Sequence, residues 1–125
     1  MNFTCTGIIL FTEKYNECVN FYSNKLGLKI LHAYDNAQSK LTTFEMGGGN
    51  YLMVETGGKA YDTAKTPEQS PVWIRFNVED VEATAEWLNK NGVKTKIRKE
   101  AWGTLADFHD PDGNVCSLRD VETFG

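Results

Sequence analysis

Cysteine is scarce in this chain, and its spacing argues against two classes of small protein. The 125 residues include three cysteines, Cys5, Cys18 and Cys116. An odd number of cysteines without a C-x-x-C pair does not suit a disulfide framework or a structural zinc site. We therefore expect reduced thiols and a cytoplasmic location.

Long apolar runs are also missing. No stretch of eighteen apolar residues occurs, so we expect no membrane-spanning helix and no membrane partner. The segment Met1 to Thr4 lacks the basic, apolar and small residues that open a secretory signal peptide in that order. These features favour a soluble intracellular protein.

An excess of positive charge is absent as well, which argues against a nucleic-acid partner. The formal net charge is −4, whereas phosphate binding requires clustered Lys and Arg side chains. Four basic residues do occur between positions 94 and 99. Because they alternate with Thr95 and Ile97, we interpret them as the solvent face of a strand.

Motifs of nucleotide and hydrolase chemistry are missing too. Gly47, Gly48 and Gly49 are followed neither by a helix nor by the Lys-Ser/Thr pair of a phosphate loop, so they indicate a turn. G-x-S-x-G, H-E-x-x-H and a dinucleotide fingerprint do not occur.

The chain does contain an internal repeat. An Asn-Lys-x-Gly segment ends an amphipathic helix at Gly27 and again at Gly92, and an extended apolar run precedes each helix. Each copy then continues into three further strands. The sequence predicts an α+β fold with module one at 1–56, a linker at 57–71 and module two at 72–125, folded as a single domain over 1–125.

Several short motifs lie at fixed places on this repeat. They are Phe21-Tyr22, Leu26-Gly27-Leu28, Asp80-Val81-Glu82-Ala83, Trp102-Gly103 and Asp110-Pro111-Asp112-Gly113-Asn114. In this order the chain resembles the glyoxalase, bleomycin-resistance and extradiol-dioxygenase superfamily, also called vicinal oxygen chelate proteins. The resemblance implies two βαβββ modules whose mixed sheet curls into a cup that holds a metal or a small ligand, commonly in a homodimer.

The resemblance also places the metal ligands of that family, and this chain departs from them. The corresponding positions are Gly7, Glu55, Trp73 and Ser117, of which only Glu55 has a side chain that binds divalent metals well. We therefore expect no metal and no other cofactor. A divalent metal held by Glu55 and unrecognised residues is the alternative.

Strand alternation predicts which side chains line the cup. Trp73 and Arg75 share one face of the strand that opens module two, and Tyr51 and Glu55 share one face of the fourth strand. Glu55 and Arg75 are expected to form a charge pair at the family's metal position or to await a charged ligand. An ordinary buried salt bridge is the other interpretation.

Three more residues complete the predicted ligand site. Alternation with Ile30 and Tyr34 places His32 on the inner face as a polar contact or a base, and the resemblance implies a wall role for Trp102. Ser117 is included because it occupies the last family ligand position. His109, beside the Asp-Pro-Asp-Gly turn, is interpreted as structural or exposed.

Two functions remain open for this set of residues. The first is a metal-independent protein that sequesters an aromatic or cationic small molecule, as the bleomycin-resistance branch does. The second is a glyoxalase I-like lyase or a dioxygenase-type enzyme that acts on vicinal oxygens through a divalent metal. The first fits the lost metal positions, whereas the second is supported by the family resemblance alone.

Overall fold

The computed structural model describes residues 1–124 and has the same order of elements in two successive units. Unit 1 comprises residues 1–60 and unit 2 begins at Tyr61. The strands are β1 Thr6–Thr12, β2 Ile30–Asp35, β3 Lys40–Gly47, β4 Asn50–Thr56, β5 Ile74–Val78, β6 Lys96–Glu100, β7 Gly103–His109 and β8 Val115–Asp120. The helices are α1 Tyr15–Asn20, extended by a π-helical turn at Phe21–Lys25, and α2 Val81–Lys90. The predicted α+β class with its repeated strand–helix–three-strand order is confirmed.

The sheet of unit 1 has the strand order β1-β4-β3-β2, with β1 parallel to β4 and the other pairs antiparallel. Helix α1 covers one face of this sheet. The Cys18 thiol lies 3.5 Å from the Thr12 hydroxyl, and the Tyr22 ring packs 6.0 Å from the Phe44 ring. Because Leu52 and Val54 are buried on this same face, the apolar core of unit 1 lies between helix and sheet.

The sheet of unit 2 repeats this design with the order β5-β8-β7-β6. Parallel pairing joins β5 to β8, and antiparallel pairing joins the rest. The Lys99 ammonium on β6 pairs with Glu82 of α2 at 2.9 Å, which identifies the face that α2 covers. We call the face of each sheet opposite its helix the open face.

The helix ends follow the sequence signals. Gly27 and Gly92 have φ values of 75° and 85°, the left-handed conformation expected after a helix. Asp80 caps α2 by accepting a hydrogen bond from the Ala83 N–H at 3.0 Å. None of the helices within residues 1–124 is long and apolar enough to cross a membrane.

The segment predicted as an exposed linker is partly buried. The Lys65 side chain is 8% exposed, and its ammonium lies 3.2 Å from Asp112 Oδ2 and 2.8 Å from Asn114 Oδ1. The Lys65 N–H also donates to the Gly113 carbonyl at 2.8 Å. The turn between β7 and β8 therefore anchors the linker, because its buried carboxylate requires a cationic partner.

Candidate functional site

Arg75 lies in a row of polar side chains across the open face of unit 2. The strand register aligns Arg75 with Ser117, Ser117 with Asp107, and Asp107 with Lys96. Partners in register point to the same face of a sheet, so these four residues share one surface. The sequence predicted Arg75 and Ser117 on one inner face, whereas Asp107 and Lys96 were not recognised as part of it.

The Arg75 guanidinium lacks a partner at one nitrogen. Its Nε is buried and donates no hydrogen bond to any acceptor among residues 1–124. A buried donor is normally paired with protein, water or ligand. Ser117 beside it is fully buried, and its hydroxyl donates a long hydrogen bond of 3.4 Å to the Leu118 carbonyl.

The neighbouring Arg98 is fully engaged by acidic groups. Its Nε lies 2.6 Å from Asp107 Oδ2, and its Nη1 lies 3.3 Å from Glu100 Oε1. The hydrogen bond to Asp107 is the main cause of a raised Arg98 pKa. Asp107 is therefore paired with Arg98, and Arg75 forms no salt bridge with the described residues of unit 2.

Trp102 is exposed on one side and covered by an arginine on the other. The Arg119 guanidinium lies 4.7 Å from the Trp102 ring centroid and donates to the Trp102 carbonyl at 3.0 Å. Phe124 stacks on the same guanidinium at 5.1 Å. Asp120 anchors this end of β8: hydrogen bonds from the Thr123 side chain and the Thr104 N–H lower its pKa to about 2. The wall role of Trp102 stays a prediction, because one ring face is already occupied.

In unit 1 the Tyr51 ring fills the space above Gly7. The two residues are register partners in β1 and β4, and a Cβ on Gly7 would lie 2.2 Å from Tyr51 Cε2. A larger side chain at position 7 is therefore excluded unless the ring moves. Glu55 lies further along β4 on the same open face. Its pairing with Arg75 of unit 2 stays a prediction.

The position of His32 differs from the expected alternation. A register shift separates Ile30, which aligns with Phe44 on the helix side, from His32, which aligns with Thr43. His32 therefore shares the open face with Tyr34 but not with Ile30, and it is exposed. A role of His32 in a ligand site stays a prediction, but the Ile30 part of the alternation was wrong because the register shifts by one residue between Ile30 and His32.

An open cavity of about 400 Å³ lies in unit 2 beside Trp73. Trp73 precedes β5, which begins at Ile74, so Trp73 lies outside the strand on which alternation placed it with Arg75. The other lining residues were not recognised as a site from the sequence: Ala64, Lys65, Lys94, Thr95, Lys96, Asp107, Phe108, His109 and Val115. The available signal was the Lys94–Lys96 spacing, which we interpreted as a solvent face.

The residues at the family's metal positions do not fit a metal ion. Gly7 has no donor, and Trp73 has no lone pair to offer. Ser117 offers only a neutral hydroxyl. No group of three or more His, Cys, Asp or Glu side chains among residues 1–124 is arranged to hold a metal.

A family model described as Glyoxalase/Bleomycin resistance protein/Dioxygenase superfamily matches residues 5–118. The chain belongs to this superfamily. The chain is similar to the uncharacterized protein YraH of Bacillus subtilis (strain 168), 29% identical over 123 residues, which cover 89% of this chain and 93% of YraH.

Solved structures of the superfamily share the fold. The antibiotic binding protein TnmS3 from Streptomyces sp. CB03234 matches with a TM-score of 0.69 and 21% identity, covering 93% of each chain. The fosfomycin resistance protein FosX from Listeria monocytogenes, in complex with Mn(II) and 1S,2S-dihydroxypropylphosphonic acid, matches with a TM-score of 0.70 and 18% identity, covering 94% of this chain and 90% of FosX. At these identities the similarity shows the fold alone.

Proposed function

We propose that this superfamily member is a small-molecule binding protein that works without a resident metal and holds a ligand against the open faces of its sheets. The observation that carries the proposal is the buried Arg75 Nε without an acceptor among residues 1–124. A ligand oxygen would supply that acceptor, since guanidinium groups pair well with carboxylates and phosphates.

The side chains at the family's metal positions support metal independence. Glu55 alone would hold a divalent ion weakly, because such ions take several oxygen or nitrogen ligands. The Tyr51 ring over Gly7 occupies the space that a first-strand ligand would need. Two structural neighbours illustrate the alternatives. FosX is a fosfomycin resistance protein crystallised with Mn(II), and TnmS3 is an antibiotic binding protein.

The exposed aromatic residues support an aromatic ligand. Trp73 is 45% exposed and Trp102 is 48% exposed, and indole faces stack on flat molecules. Glu55 on the open face of unit 1 supports the expectation of a cationic ligand. Arg75 of unit 2 instead favours a ligand that carries a negative group where it contacts unit 2.

The test is a thermal-shift screen of chelator-treated protein against a panel of aromatic acids, amides and amines, with Arg75→Met and Arg75→Lys. Because Arg75 Nε donates to no described acceptor, Arg75→Met is expected to leave the unfolding temperature within about 2 °C of the wild type. Ligands that stabilise the wild type should bind Arg75→Met about tenfold or more weakly, because this variant loses a charge-assisted hydrogen bond to the ligand.

Arg98→Met is the matched control, since Arg98 already has acidic partners. It should destabilise the protein by leaving Asp107 without its cation, while Arg75 stays able to bind. Equal ligand affinity in wild type and Arg75→Met would overturn the assignment of Arg75. A panel that stabilises the protein only after Mn²⁺ is added would overturn metal independence.

A further inference from the structure

The cavity beside Trp73 has an apolar floor and an aromatic wall. Phe108 and Val115 form buried parts of the lining at 5% and 6% exposure, and Trp73 contributes a half-exposed indole. Its volume of about 400 Å³ lies within the range of small-molecule sites, roughly 300–1,000 Å³. A flat ring system of two fused rings is a suitable occupant for such a lining.

The rim of this cavity is positively charged. Lys94 and Lys96 line it, and neither ammonium forms a salt bridge with any of residues 1–124. Asp107, which also lines the cavity, is held by Arg98 at 2.6 Å. The Lys65 ammonium is likewise neutralised, by Asp112. Among the described lining residues, the lysines without a salt bridge are therefore Lys94 and Lys96.

His109 adds an oriented imidazole to the lining. Its Nδ1 lies 2.8 Å from the Asp110 carbonyl oxygen. Because a carbonyl only accepts, Nδ1 carries the hydrogen and the neutral ring keeps its lone pair on Nε2.

We propose that this cavity binds a planar aromatic anion, with its ring system on Trp73 and its carboxylate, sulfonate or phosphate between Lys94 and Lys96. This inference rests on the proposed binding function and narrows its ligand class. A cationic ligand is disfavoured here because Lys94 and Lys96 both line the cavity and like charges repel.

The experiment compares three matched probes: 1-naphthoate, neutral 1-naphthamide and cationic 1-naphthylmethylammonium. Each is titrated into ¹⁵N-labelled protein, and the indole N–H resonance of Trp73, assigned by its loss in Trp73→Phe, reports occupancy. We expect naphthoate to bind about tenfold more tightly than the amide, because it forms two exposed charge contacts with Lys94 and Lys96. The ammonium probe should bind most weakly.

The variant Lys94→Gln/Lys96→Gln should reduce naphthoate affinity to that of the amide. Lys90→Gln, which removes an exposed ammonium of α2, is the control and should leave the preference unchanged. Equal affinities for naphthoate and naphthamide in the wild type would overturn the inference. Shifts at Trp102 without shifts at Trp73 would also overturn it, while leaving the general binding proposal intact.

The two proposals fail differently. If the wider panel stabilises the chelated protein but naphthoate does not move the Trp73 resonance, the cavity assignment is wrong and the binding function stands. If naphthoate moves that resonance only when Mn²⁺ is present, metal independence is wrong while the charge preference of the cavity is supported.

Discussion

Gly7 lacks a side chain, and the Tyr51 ring occupies the space that a side chain at this position would need. The φ angle of Gly7 is not among the positive values of the chain, so its backbone would accept an alanine. The obstacle is the ring, whose Cε2 would lie 2.2 Å from the new Cβ. A glycine is therefore required at position 7 by the space that the Tyr51 ring occupies, and not by the backbone conformation.

We expect Gly7→Ala to lower the free energy of unfolding by about 1–3 kcal/mol, the usual cost of overpacking. Urea denaturation of the single and double variants measures this value. In a Tyr51→Ala background the same change should cost less than about 0.5 kcal/mol, because the obstructing ring is gone. If the losses of unfolding free energy from Gly7→Ala and Tyr51→Ala simply add in the double variant, the Tyr51 ring is not the obstacle and this interpretation is wrong.

Sequence reasoning succeeded at residues whose role is local. The glycines that end the helices, Gly27 and Gly92, were predicted from the chain alone because a left-handed residue after a helix has a strong local signature. The approach of Tyr51 to Gly7 was not predicted, since it depends on the β1–β4 register across more than forty residues. Burial of Ser117 likewise depends on its neighbours in adjacent strands.

At the scale of elements, the turn between β7 and β8 does more than reverse the chain. Asp110 accepts hydrogen bonds from the Asp112 and Asn114 N–H groups at 2.9 Å each, which fixes the turn. Asp112 and Asn114 then bind the Lys65 ammonium. The sequence indicated the turn through Pro111 and Gly113, but the partner from the linker is non-local and was missed.

We expect Lys65→Met to lower the free energy of unfolding by about 3 kcal/mol, since it removes the ammonium that pairs with the buried Asp112 carboxylate. Thermal and urea unfolding measure the loss. Lys90→Met is the matched control, because the Lys90–Glu86 pair is 75% and 69% exposed and should contribute less than about 0.5 kcal/mol. Equal effects of the two substitutions would contradict the anchoring role of Lys65.

The strand β2 shows why elements were predicted better than faces. A strand after the first helix was predicted, but the register shift between Ile30 and His32 moved Ile30 to the helix side. The shift has no sequence signature here, because neither glycine nor proline marks it. His32 shares the open face with Tyr34 because the shift lies before it.

At the scale of the whole molecule, the repeat was the most informative feature of the sequence. Two copies of one strand–helix–three-strand unit predicted both sheets, and the family match over residues 5–118 confirms the assignment. The charged cavity of unit 2 could not be predicted, because it combines residues from the linker, β6, β7 and β8. The homodimer stays a prediction; exposed Ile9 and Phe11 on the edge strand β1 are compatible with it.

We propose that this glyoxalase-superfamily chain binds its ligand without a metal. The most direct measurement is the calorimetric affinity of the tightest-binding compound in the aromatic panel, before and after exhaustive chelation and again with added Mn²⁺. We predict the same dissociation constant, within about twofold, in all three states. Loss of binding on chelation and its recovery with Mn²⁺ would contradict the account.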